Sequence, residues 1–254
     1  MAKRALITGG SKGIGRKTAE YLAAAGCSVV INYRSDAASA EVFATELSNR
    51  FGVQASAVQG DVSRKEDCEK IASFSGEIDI LIHNAGPYIQ ERKPMADYSW
   101  DEWHQLISGN LTSVFYLSKL LLPGMKERGW GRLIAFGFDR VETAPAWVDR
   151  SAFAAAKTGL ASLIKTIALE EASSGITANM ICPGDIAGRW KEEDITAAEG
   201  KPAPLVPVGR PGTGGDIARV AAFLASEASA FITGAIIPVT GGQDVLCKHF
   251  RNRN

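Results

Sequence analysis

The sequence has 254 residues, 46% of them hydrophobic and 22% charged, with Lys+Arg and Asp+Glu both numbering 28. This is the composition of an ordinary globular protein, of a size for one large α/β domain or two small ones. A formal net charge of zero leaves no basic surplus for nucleic acid or an anionic membrane, and the Lys248, Arg251 and Arg253 end reads as a solvated terminus.

The chain opens with a short apolar run over residues 4–8, then Thr8-Gly9-Gly10-Ser11-Lys12-Gly13-Ile14-Gly15, then helical periodicity over 13–25. Strand, glycine turn and helix in this order suit a dinucleotide pyrophosphate, because a turn poor in Cβ atoms lets backbone N–H groups approach phosphate oxygens. The helix N-terminus adds roughly half a positive charge. Read alone, the same residues also make a tight βα turn.

Further strands are predicted over 28–33, 53–59, 78–83, 132–136, 177–182 and 235–239. Between them lie predicted helices over 38–51, 65–73, 100–128, 152–173 and 215–225. The strands are continuously apolar rather than alternating, which fits a parallel sheet covered on both faces. The expected fold is therefore a single α/β domain over 1–254, a Rossmann-type doubly wound parallel sheet with helices on both faces. The segment 184–214 is rich in Pro, Gly and charge and has weak periodicity, so it reads as a functional lid.

Cys27, Cys68, Cys182 and Cys247 are widely spaced, with no C-x-x-C pair and no plausible zinc set. They suit a reducing compartment, and no metal site is expected. No charged-then-apolar leader is visible, and no apolar run approaches the roughly 20 residues that span a bilayer. A cytoplasmic protein is expected.

In a doubly wound sheet, ligands bind beyond the carboxyl ends of the strands. Nearly every distinctive cluster falls there: Thr8-Gly9, Asp61-Val62, Asn84-Ala85-Gly86 and Pro183-Gly184. With Asn110, Lys157 and the terminal Thr240-Gly241-Gly242, this set resembles the classical short-chain dehydrogenase/reductase family over almost the full length. The resemblance implies that Thr8 and Asn84 brace the cofactor loop and central strand, that Asp61 bonds the adenine, and that Val62 and Gly9, Ser11, Lys12, Gly13, Ile14 and Gly15 also bind the cofactor. It further implies that Ala85, Gly86, Pro183 and Gly184 bind the cofactor, that Lys157 bonds the nicotinamide ribose, and that Lys157 and Asn110 form the catalytic set. A homotetramer with a small-molecule substrate is also implied.

The second strand ends in Asn32-Tyr33-Arg34-Ser35, without the Asp that would bond a ribose 2′-hydroxyl and repel a phosphate there. Arg34 offers a planar fork and Lys12 a second charge, so NADP(H) is favoured over NAD(H). Either cation taken singly also reads as a solvated surface residue. Asp36 reads as the start of the next helix.

The active-site positions depart from the family pattern. Its Tyr lies four residues before its Lys; here that position is Phe153. Its Ser ends the fifth strand; here that position is Phe138, or Asp139 or Arg140 by spacing to the helix. No Tyr follows Tyr116, and between Ser118 and Ser151 only Thr143 carries an aliphatic hydroxyl. A positioned general acid is worth ~10²–10⁴ in rate and an oxyanion donor ~10²–10³. Replacement candidates are Lys157, Asp139, Arg140, Asp149, Tyr88 and Asp185, each also compatible with a surface role or a salt bridge. His83 replaces the first Asn of the family's Asn-Asn-Ala-Gly and reads as packing, with a catalytic role as the minority alternative. Three functions stay open: an NADPH-dependent reductase of a carbonyl or activated double bond with a rebuilt site, a 3-oxoacyl-thioester reductase with a replacement donor, and an NADP(H)-binding sensor or subunit. Trp147, Tyr88 and the Trp190-Lys191-Glu192-Glu193 stretch suggest a substrate with an aromatic or extended apolar part.

Overall fold

A computed structural model describes residues 2–246; Cys247 and the basic end beyond it lie outside the described residues. Seven strands form one parallel sheet: β1 (Arg4–Ile7), β2 (Ser28–Tyr33), β3 (Ala55–Gln59), β4 (Ile80–His83), β5 (Gly131–Phe136), β6 (Ile176–Pro183) and β7 (Ile236–Val239). Their spatial order is β3-β2-β1-β4-β5-β6-β7. The order reverses between β1 and β4, where Ile7 pairs with Ile82 on one side and Ile31 on the other. That reversal is the switch point at which such sheets leave a crevice.

The helices are α1 (Gly13–Ala24), α2 (Ala37–Phe51), α3 (Lys65–Ser75), α4 (Trp100–Ile107), α5 (Ser113–Arg128), α6 (Ser151–Glu171) and α7 (Gly214–Ala225). Successive strand residues point to opposite faces, so the apolar strands feed two cores. Leu6, Leu81 and Leu133 pack with residues of α3, α5 and α6. Ile7, Ile82 and Ile134 pack with residues of α1, α2 and α7. The single-domain fold and its parallel sheet follow the sequence reading, and predicted strand boundaries fall within about two residues of those observed.

The predicted helix over 100–128 is not continuous. One π-helical turn, Ser108–Thr112, separates α4 from α5. Asn110 Nδ2 donates to Leu106 O at 3.0 Å, competing for the carbonyl four residues back. Such side-chain competition loosens the helical ladder, and π turns of this kind concentrate at functional sites. A second departure concerns α6. With the turn after it, Ser151–Ser174 is long and apolar enough to cross a membrane, and half of its apolar window is buried. Leu160, Ile164 and Ile167 of this helix sit in the core beside α5.

Leu133 lies in the central part of the sheet and is fully buried. Leu133→Ala is expected to lower the unfolding free energy by about 2–5 kcal/mol. Urea denaturation checks this; a change under about 1 kcal/mol would contradict the assigned packing.

Candidate active site

The switch-point crevice is built by a small polar network. After β1 the backbone turns through Gly9 and Gly13, both at positive φ (60° and 61°). Thr8 Oγ1 accepts from Asn84 N and Ala85 N, each at 3.0 Å, tying β1 to the end of β4. Asn84 Nδ2 donates back to Thr8 O at 2.9 Å and Gly9 O at 3.0 Å. A Cβ on Gly15 would lie 2.4 Å from that Nδ2 and 2.5 Å from Gly9 O, so only glycine admits this closure. From the other side, Asn32 Oδ1 accepts from Gly9 N (3.2 Å) while its Nδ2 donates to Gly60 O (2.9 Å).

Above this network lies a cavity of about 440 Å³. Of the residues expected at a cofactor, Gly9, Ser11, Lys12, Gly13, Ile14, Arg34, Asp61, Val62, Asn84, Ala85 and Gly86 line it. Thr8 and Gly15 are buried beneath as its supports. Lys157, Pro183 and Gly184 do not line it; Gly184 borders a smaller cavity of about 130 Å³ with Asp185 and Thr240. The reason is close packing at the end of β6, where a Cβ on Gly184 would stand 2.8 Å from Thr240 Cα. Asp36 caps α2 by accepting from Ser39 N at 3.1 Å. The Ser39 side chain, and then this backbone bond, hold its carboxyl below the usual range.

The segment expected as a lid is docked rather than free-standing. Gly13 N donates to Glu192 Oε1 at 2.6 Å, so a carboxylate oxygen stands where the glycine turn would present an N–H to a phosphate oxygen. Tyr21 on α1 donates to Asp194 Oδ1 at 2.7 Å, and Gly215 N on α7 donates to Glu193 O at 3.1 Å. Burial and then the Asp194 bond push the Tyr21 hydroxyl up to about 12, keeping it a donor. Lys191 lines the cavity beside this latch.

Past the ends of β4 and β5 stand four rings. Phe138 and Trp147 have centroids 4.8 Å apart, Trp147 and Phe153 5.9 Å, and Tyr88 and Phe153 5.1 Å edge-to-face. Lys157 Nζ lies 5.7 Å from the Phe153 centroid and has no hydrogen-bond partner among the described residues. Burial brings its pKa down from 10.5 to about 8. Asn110 is buried in the π turn; its Nδ2 also holds Pro87 O at 2.9 Å, and its Oδ1 has no partner. A Cβ on Gly86 would come within 2.3 Å of that oxygen. His83 is buried with Nε2 3.1 Å from Ser118 Oγ. Burial, then the Lys157 charge, lowers its pKa to about 3, so it is neutral and acts as packing. Asp139 is buried near Arg140, which bonds Asp244 at 2.8 Å. Arg140, Ala144 and Asp149 are the non-glycine residues at positive φ among those described, all in the β5–α6 loop.

Sequence reasoning did not single out Asn32, Gln105, Gly109 or Glu192 as parts of this crevice. Asn32 carried a usable signal: a polar side chain inside Ser28–Tyr33, an otherwise apolar strand, must find buried partners. Glu192 carried none, because its partner is a backbone N–H 179 positions away.

A parallel sheet with a glycine turn at its switch point and a cavity over its strand ends defines a Rossmann-type protein. Residues 9–244 match the family described as Enoyl-(Acyl carrier protein) reductase. The Bacillus subtilis (strain 168) protein named "Putative oxidoreductase YtkK" is 50% identical over 254 residues, covering 97% of this chain and 98% of that protein. The 3-oxoacyl-[acyl-carrier-protein] reductase FabG of Escherichia coli (strain K12) is 38% identical over 249 residues, covering 94% and 96%. A solved structure titled "putative 3-oxoacyl-reductase from bacillus thuringiensis" superposes with a TM-score of 0.89 at 48% identity, covering 97% of this chain and 100% of that one. The chain belongs to the short-chain dehydrogenase/reductase family of oxidoreductases.

The lone buried ammonium of Lys157 costs stability. Its pKa is depressed in the fold, so between about 8 and 10.5 the unfolded chain holds the proton and the native chain does not. Stability therefore rises with pH across that window and is lowest below it. Lys157→Met is expected to stabilise the protein at pH 7 by on the order of 3 kcal/mol, with the gain fading toward pH 10.5. Urea midpoints against pH check this; a destabilised variant at pH 7 would contradict it.

Proposed function

We propose that the protein is an NADPH-dependent reductase acting on a carbonyl or an activated double bond, through a site without the family's Ser and Tyr pair. The observation that carries the reading is the shared lining of one cavity by Gly9, Gly13, Asp61, Lys12 and Arg34. The glycine turn and Ser11 would hold the pyrophosphate, with Ile14 beside it. Lys12 and Arg34 would take the 2′-phosphate, Arg34 as a bidentate fork. Asp61 and Val62 would meet the adenine, and Asn84, Ala85 and Gly86 would carry the chain of the cofactor toward β4. Lys157, unpaired and buried, fits as a donor to a ribose hydroxyl, and Pro183 and Gly184 would border the nicotinamide.

The residues present fit this group. The N–H of Gly13 already holds an anionic oxygen, and Asn110 Oδ1 is a buried polar atom without a hydrogen-bond partner among the described residues. When bound, reduced nicotinamide supplies a hydride. The chain's own part is to exclude water with Phe138, Trp147 and Phe153, to keep a cation at Lys157, and to hold the loop after β4 through Asn110. Segment 184–214 serves as the lid, latched through Glu192. The names of the relatives favour a 3-oxoacyl thioester as the carbonyl. A cytoplasmic homotetramer completes the reading, supported by the exposed Trp103 and Phe115 on α4 and α5.

Nicotinamide fluorescence tests the cofactor. NADPH is expected to bind at least tenfold more tightly than NADH, and Arg34→Asp to reverse that order. Equal affinity for both, unchanged by Arg34→Asp, would overturn it. Glu192→Gln is expected to tighten NADPH binding roughly three- to tenfold, because the displaced group no longer carries charge at the helix N-terminus. Weaker binding would show that Glu192 assists the cofactor instead.

A further inference from the structure

Phe153 carries no acid, yet a phenol stands against it. The Tyr88 ring meets the Phe153 ring edge-to-face at 5.1 Å, on the loop that leaves β4. We propose that Tyr88 donates the proton to the substrate oxygen, supplying from this loop the hydroxyl that α6 lacks. This role rests on the reductase reading above and completes its chemistry.

The loop is held to a degree that its sequence does not explain. Asn110 Nδ2 fixes Pro87 O at 2.9 Å. Arg150 Nη1 fixes Ile89 O at 3.0 Å and also Glu91 O, and Arg150 Nη2 fixes Gln90 O at 2.9 Å. The backbone is thus clamped on both sides of Tyr88. Arg150 is 5% exposed and pairs with no carboxylate among the described residues. Burying a guanidinium against carbonyls alone is an expensive arrangement. Its evident product is the position of this loop, and its guanidinium also lies 4.8 Å from the centre of the Tyr88 ring. A side chain fixed this way meets the demand that a reacting group be positioned by its support.

The remaining groups fit the role less well. Lys157 is proposed above to hold a ribose hydroxyl, and it is 5% exposed. Asp139 is buried beside Arg140, and Thr143 Oγ1 donates to Arg140 O. Tyr88 is 41% exposed, so solvent reaches it directly. In the reducing step, the hydride that reduced nicotinamide would supply, itself becoming oxidised, forms a C–H bond at the carbonyl carbon and the C=O π pair moves to oxygen. That oxygen takes the proton from Tyr88 Oη, and the phenolate left behind regains a proton from water.

The test is Tyr88→Phe in the full chain, alone and combined with Phe153→Tyr, assayed with NADPH and a panel of ketones and 3-oxoacyl thioesters. Tyr88→Phe is expected to bind NADPH as the wild type does, by nicotinamide fluorescence. It should lose roughly 10²–10⁴-fold in kcat, with KM within about threefold, and lose the alkaline limb of the kcat–pH profile. Adding Phe153→Tyr should restore kcat at least tenfold. An unreactive carboxamide analogue should perturb the tyrosine ultraviolet spectrum of the wild type and not of Tyr88→Phe. A Tyr88→Phe protein with wild-type kcat and pH profile would overturn the assignment and leave the reductase reading standing. A wild type that binds NADPH and reduces nothing in the panel would overturn that reading, and the role of Tyr88 with it.

Discussion

The crevice depends on one amide. Asn84 at the end of β4 bonds the carbonyls of Thr8 and Gly9 through the same Nδ2, closing the glycine turn onto the neighbouring strand. The closure works only because Gly15 has no Cβ to occupy the space that the amide needs. Thr8 returns the tie through its hydroxyl, and Asn32 anchors the same turn to β2 and β3. Each of these polar groups is partnered, so the network holds its shape at little cost. From it follow the direction in which Gly13 N points and the opening of the cavity.

Two anions have a claim on that N–H. One belongs to the protein itself, the Glu192 carboxylate held over the turn by the Tyr21–Asp194 and Gly215–Glu193 bonds. The other is the pyrophosphate proposed to enter with the cofactor. Both answer to the same helix N-terminus. The site beyond β4 is different in kind, being aromatic rather than polar, with a buried cation and a loop clamped by Arg150.

Much of this was legible in the sequence. Continuous apolar runs between helical stretches required a parallel sheet, and glycine and asparagine clusters at strand ends marked its switch point. The proposed place of Phe138 and Phe153 in the site rests on the sequence, in which no Tyr follows Tyr116. Other features are set by tertiary geometry. The π turn at Asn110 arises because one side chain takes the Leu106 carbonyl, which periodicity does not register. The division of the expected cofactor residues, with Pro183 and Gly184 outside the main cavity, follows from packing at Thr240. The clamp on the loop after β4 links Arg150 to carbonyls 59 to 61 positions away, and carbonyls have no sequence signature.

The crevice is proposed to grip a phosphorylated dinucleotide by the turn that Asn84 closes, and a crystal structure of the protein grown with NADPH tests this most directly. The pyrophosphate is expected on Gly13 N, the 2′-phosphate between Lys12 and Arg34, and Glu192 displaced. Glu192 still seated on Gly13 N, with the nucleotide elsewhere or missing, would contradict it.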